Sequence, residues 1–154
     1  MENKTEKLLW SIALPGFAQL LNGKLVKGIV FIFLEFLINV QANLNLNIVH
    51  SFQGNMQSAI DLTNYQWLMF YPCLYLFAIW DAYRDEGGGS EPYSFLPFVF
   101  AAFLSTIGVI YSSTLRIFGV LWGPTFLPIL FLLIGLVIGW IIKICVISIS
   151  KLGK

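Results

Sequence analysis

Four apolar runs, residues 28–41, 66–83, 93–111 and 123–142, limit most strongly what this chain can become, because the stretches between them are too short to hold a separate domain. Runs of this length and character need either lipid or a large protein interior around them. Of the 154 residues 58% are hydrophobic and only 11% charged, too little polar surface for a water-soluble domain of this size. The expected fold is therefore all-α, a multi-pass membrane helical bundle of four spanning helices plus a short N-terminal re-entrant or interfacial hairpin. Residues 1–92 would form one module with its re-entrant segment at 8–21. Residues 93–154 would add a C-terminal helix pair, the two joined in one bundle.

The hairpin follows from length. Residues 8–21 number 14, about 21 Å as helix against a hydrocarbon core of about 30 Å, and Pro15 removes a backbone donor in the middle. Lys4 and Lys7 ahead of it imitate a signal peptide, but Pro15 and Gly16 interrupt the run and Gln19 and Asn22 follow, so the segment reads as retained. With both termini cytoplasmic, Lys4, Lys7, Lys24, Lys27, Arg84, Lys143, Lys151 and Lys154 fall inside and Arg116 alone outside, a strong positive-inside asymmetry. On that topology Trp10, Trp80 and Trp140 lie towards the inner face, and Trp67 and Trp122 towards the outer one, where indole rings prefer to sit.

One acid, Glu35, stands inside the first long run, between Ile29–Leu34 and Phe36–Ile38. An ionisable group at such depth costs about 3 kcal/mol on insertion scales and marks a functional site or an interhelical contact. If one helix continued from Lys24 to His50, Asn39 and Asn43 would follow Glu35 at i+4 and i+8, giving an intramembrane polar or ion site along a stripe. Such a stripe serves either as a seam hydrogen-bonded to a neighbouring helix or as a proton or cation path. In the 66–83 run Pro72 is expected to kink the helix. At its inner end Asp81, Arg84 and Asp85 have the spacing of an interfacial ion pair. The turn between the first two runs carries Pro15, Gly16, Gln19, Asn22, Gly23, Lys27 and Gly28, suited to a tight reversal with side chains that satisfy exposed backbone. SFLPFVFAAFLSTIGVI and TFLPILFLLIGLVIGW share Phe-Leu-Pro and a glycine 11 residues after the proline, Pro97 with Gly108 and Pro128 with Gly139.

LPGFAQLLNGKLVKG (residues 14–28), followed by a span, an outer loop and a second span ending in FAIWDAYRD (77–85), resembles the bacterial branch of the two-transmembrane-helix domain family. The matching positions are Pro15, Gly16, Gln19, Asn22, Gly23, Lys27, Gly28, Asp81 and Arg84, and Ala18 and Leu21 replace a glycine and a tyrosine of the usual pattern. The resemblance covers the first half of the chain. It implies a bacterial cytoplasmic membrane and a largely uncharacterised module with no shared catalytic residues.

No catalytic residues, metal site or cofactor are expected, since one histidine, His50, and two cysteines, Cys73 and Cys145, form no nucleophile, phosphate-loop or ligand pattern. A net charge of +1 gives no nucleic-acid surface. Membrane lipids and a membrane-protein partner or second copy are the expected contacts. The leading expectation is a non-catalytic integral membrane module acting by helix association, as a homo-oligomer or a small subunit of a complex. A small channel or transporter using Glu35, and a lipid-interacting envelope protein using Lys24 and Lys27, are the alternatives.

Overall fold

A computed structural model describes the backbone of residues 4–152 and, within that range, the side chains other than those of residues 4, 5, 7, 8, 151 and 152. The side chains of Lys4, Lys7 and Lys151, and all of Lys154, lie outside the described residues. The chain is helical almost throughout. Its elements are α1 (Lys4–Ala13), α2 (Phe17–Leu21), α3 (Leu25–Ala42), α4 (Leu44–Phe52), α5 (Met56–Leu62), α6 (Tyr65–Leu68), α7 (Tyr71–Asp85), α8 (Leu96–Tyr111), β1 (Arg116–Ile117), β2 (Val120–Leu121) and α9 (Gly123–Leu152).

Helices α3, α7, α8 and α9 run up, down, up and down. The start of α3 meets the end of α7 through Lys27 and Asp81, while Ala42 at its far end accepts a hydrogen bond from the Asn64 N–H just before α6. Trp80 and Tyr83 of α7 pack on Phe98 of α8. The two-residue turn Phe118–Gly119, both left-handed at φ 53° and 80°, closes the β1–β2 hairpin that returns the chain into α9. Lys24, Lys27, Arg84 and Lys143 thus gather at one end of the bundle, where Lys143 pairs with Glu91 at 2.6 Å, and Arg116 lies at the other. Helices α4 and α5 cap the Arg116 end, with Phe52 edge-on to Phe126 at 5.1 Å and Thr125 bonded to Asn47.

Two of these helices, α3 at 18 residues and α9 over residues 123–150, are long and apolar enough to cross a membrane; α8, at 16 residues, is shorter. Only 11% of the most apolar window of α9 is buried.

Three sequence expectations change. The helix from Lys24 does not continue to His50: Asn43 adopts φ 56° and separates α3 from α4. Asparagine tolerates this left-handed geometry, and its Nδ2 donates to the Leu62 carbonyl at 2.8 Å, tying the break to the end of α5. The 66–83 run is likewise divided, with α6 ending at Leu68 and α7 starting at Tyr71. Pro72 therefore lies in the first turn of α7, where its missing N–H has no helical acceptor to serve, so it starts a helix instead of kinking one.

The Phe-Leu-Pro repeat has a packing meaning. Helices α8 and α9 are antiparallel, so equal proline-to-glycine spacings bring each proline opposite the other helix's glycine. A methyl built on Gly108 would fall 2.8 Å from the Pro128 Cα, and one on Gly139 would fall 2.6 Å from the Pro97 Cα. The two backbones touch because both glycines lack a side chain.

Candidate functional site

The α1–α2 hairpin is where the sequence motifs meet. Its tip, Leu14 to Gly16, turns with Gly16 at φ 103°, and a methyl there would lie 2.5 Å from the Gly28 carbonyl oxygen. Only glycine supplies both that dihedral and that approach. The Tyr75 hydroxyl donates to the Ile12 carbonyl at 2.7 Å, so the tip is held halfway along α7. The chain then returns through α2 to the charged end, where Gly23 at φ 73° terminates the helix and Lys24 N–H bonds back to Gln19 O at 2.8 Å.

That return places Gln19, fully buried, against α7: its Nε2 donates to Ala78 O at 2.8 Å and to Asp81 Oδ2 at 3.3 Å. Asp81, 2% exposed, also accepts Lys27 Nζ at 2.8 Å and Arg84 Nη2 at 3.1 Å on Oδ1. A second pair, Lys24 with Asp85 at 2.5 Å, closes the same end. Gln19 and Lys27 of the turn motif and the Asp81, Arg84, Asp85 group therefore form one cluster, while Pro15 and Gly16 lie away from it at the hairpin tip, and Asp85 pairs with Lys24 across the bundle and not within its own helix. Sequence spacing finds the Asp81–Arg84 contact and misses Lys24–Asp85, which nothing local signals. Asn22 sits beside the cluster with both side-chain polar atoms buried and without partners.

Glu35 lies deeper, 7% exposed on α3. Its hydrogen-bond partner is Tyr71, and its Oε2 has none. Asn39 and Asn43 do not extend it as a stripe: Asn39 donates to Asn45 Oδ1 at 3.0 Å on the exposed side, and Asn43 serves the helix break. The sequence signal for this contact is Tyr71, a hydroxyl in an apolar segment that has to find an acceptor.

The third feature is a cleft of about 1130 Å³ along α7 between α3 and α8. Its walls are largely apolar and aromatic, with Trp67 and Phe70 at one end and Trp80, Phe95 and Phe98 at the other, so it follows α7 from Cys73 to Trp80. Cys73 lines it and is a free, exposed thiol.

At the charged end the Lys143 ammonium, by hydrogen bond and by charge, holds the Glu91 carboxyl below its ordinary 4.5. A carboxyl depressed by folding adds stability that is present above its unfolded value and is lost as pH falls through the folded one. Glu91 is exposed, so this contribution is small and salt-sensitive. Lys143→Ala is expected to return Glu91 towards its ordinary value in an NMR titration; an unmoved titration would remove the pair as the cause.

Comparison with known proteins finds no matching family model, curated protein or solved structure.

Proposed function

We propose that the chain is a multi-pass membrane module that acts by helix association, taking a transmembrane helix of another chain into the cleft along α7, as a homo-oligomer or as the small subunit of a complex. Helices α3, α8 and α9, and α7 extended by α6, are the four crossings. The α1–α2 hairpin enters from the charged end and turns back at Pro15–Gly16. Support for the membrane setting is α9: a helix whose most apolar window has a mean hydropathy of 2.8 and is only 11% buried keeps an apolar face outside its seam with α8, and such a face would not stay in water. On this reading both ends of the chain face the cytoplasm, because among the described residues Lys24, Lys27, Arg84 and Lys143 lie at one end of the bundle and Arg116 at the other. A bacterial cytoplasmic membrane is proposed from the family resemblance, which gains support from its two stretches meeting at Asp81.

The observation that carries association is the cleft. In lipid, helices gain little from hydrophobicity and associate through close packing, so a concave, aromatic-lined groove running from Trp67 to Trp80 favours a helix, about 10 Å across, as its occupant. The headgroup-binding alternative is weaker, because Lys24 and Lys27 already serve Asp85 and Asp81.

The native thiols test this reading. Cys73 lies in the cleft and Cys145 on the exposed face of α9. With a membrane-permeant maleimide, Cys73 is expected to react at least five-fold more slowly in native membranes than after dissociation in harsh detergent, while Cys145 changes far less. Equal ratios at the two positions would show an open cleft and end the association reading.

A further inference from the structure

We propose that the bundle holds a lipid-tail site, an internal cavity between the hairpin tip, α7, α8 and α9 that takes one acyl chain of a membrane phospholipid. The inference rests on the bundle lying in a membrane.

The cavity measures about 420 Å³, within the range of roughly 300–1,000 Å³ that small-molecule sites occupy. Along α9 it runs from Pro124 to Leu132, about 12 Å of helix, and along α7 from Tyr71 to Leu76. Both helices travel from the Arg116 end towards the charged end, so the space begins at α4, where Leu44 and Ile48 line it, and stops partway down the bundle. Ile12 and Ala13 of the hairpin tip form its floor. The bond from Tyr75 to Ile12 and the close approach of Gly16 to Gly28 hold that floor in place. Two of the lining side chains, Ile12 at 48% and Ile129 at 50%, are also exposed, so the cavity reaches the surface beside them, where a bilayer presents hydrocarbon.

The walls select the occupant. They are mostly apolar, and the four hydroxyls among them are each committed: Tyr75 donates to the Ile12 carbonyl, Ser105 to the Pro128 carbonyl at 3.0 Å and Thr125 to Asn47, while Tyr71 bonds Glu35. Water would meet no uncommitted hydroxyl there. An apolar cavity of about 150 Å³ stays dry and takes up benzene, so one about three times larger has room for roughly a dozen carbon atoms or more. A whole helix, about 10 Å across, does not fit that volume. Left empty, a void of this size would deprive its lining of the packing contacts that protein interiors keep. A flexible hydrocarbon chain restores those contacts, and the bilayer beside Ile12 and Ile129 supplies one. The re-entrant hairpin is then the stop that sets how far the chain penetrates.

The test places the full chain in phosphatidylglycerol vesicles containing a trace of the same lipid with a photoactivatable diazirine midway along one acyl chain. Ser105 is the diagnostic position, because at 3% exposure it is out of reach of lipid on the outer surface, whereas Val137, 57% exposed, reports that lipid. Irradiation is expected to mark both Ser105 and Val137. Ala13→Trp, which adds an indole at the floor from an exposed position, and Ile129→Trp, which adds one from α9, should each reduce the Ser105 adduct several-fold and leave the Val137 adduct unchanged. Adducts confined to exposed faces in the parent chain, or a Ser105 adduct that neither variant reduces, would overturn the proposal. Failure of the protein to float with the vesicles would instead contradict the membrane reading itself.

Discussion

Asp81→Ala is expected to lower the stability of the folded bundle by about 2–3 kcal/mol, whereas Asp85→Ala, one helical turn away, costs less than about 1 kcal/mol. Removing one member of a buried ion pair costs about 3–5 kcal/mol when the other charge is stranded. Here Lys27 and Arg84 are 44% and 54% exposed and regain water, so part of that penalty vanishes. What remains is the loss of three charge-assisted hydrogen bonds from one nearly buried carboxylate, including that of the fully buried Gln19. Asp85 differs because it has one partner, the half-exposed Lys24, and its Oδ2 is buried unsatisfied, so truncation also relieves an existing cost. At about 2–4 °C per kcal/mol for a chain of this size, thermal unfolding in detergent should fall by about 4–12 °C for Asp81→Ala and by less than about 4 °C for Asp85→Ala. Asp81→Asn should lie between, since it keeps an acceptor for Gln19. Equal shifts for the two alanine variants would mean that the hairpin is not held through Asp81.

The seam between α8 and α9 should be equally intolerant, for a different reason. A methyl built on Gly135 would lie 2.5 Å from the Phe100 carbonyl oxygen and 2.6 Å from the Ala101 Cα. Those are backbone atoms, which no rotamer change can move aside. Overpacking typically costs about 1–3 kcal/mol, and Gly135→Val should reach at least the upper end because two helices have to separate along their length. Val137→Ala, two residues on and 57% exposed, removes volume from the uncovered face and should leave the unfolding temperature within about 2 °C. A Gly135→Val variant as stable as the parent would show that the two helices do not pack at glycine distance.

How much of this was legible depends on how far apart the interacting residues lie in the chain. The helical character, the apolar runs and the reversal at Pro15–Gly16 are local properties, and periodicity, composition and the missing proline donor expose them. Asp81 with Arg84 is also local, at i and i+3. Gln19 and Lys27 were visible as members of a turn, but their acceptor lies 62 and 54 residues away, and no spacing rule links them. The Glu35 stripe failed for a single backbone reason: Asn43 can adopt a positive φ, and a helix that ends there cannot carry a face onwards to His50. No spacing singles out Tyr71, Asn47 and Thr125, whose partners Glu35, Thr125 and Asn47 come from other helices. Pro72 looks like a kink in the sequence because the break before it, at Met69 and Phe70, carries no turn-forming residue.

The central claim is that four helices cross the bilayer with the charged end inside, and single-cysteine accessibility tests it most directly. In a Cys73→Ser, Cys145→Ser background, a cysteine at Arg116 should react with an impermeant maleimide on intact cells. Cysteines at Gly88 and at Lys24 should react only after the membrane is opened. Labelling of Lys24→Cys or Gly88→Cys from outside, or silence of Arg116→Cys there, would contradict the arrangement.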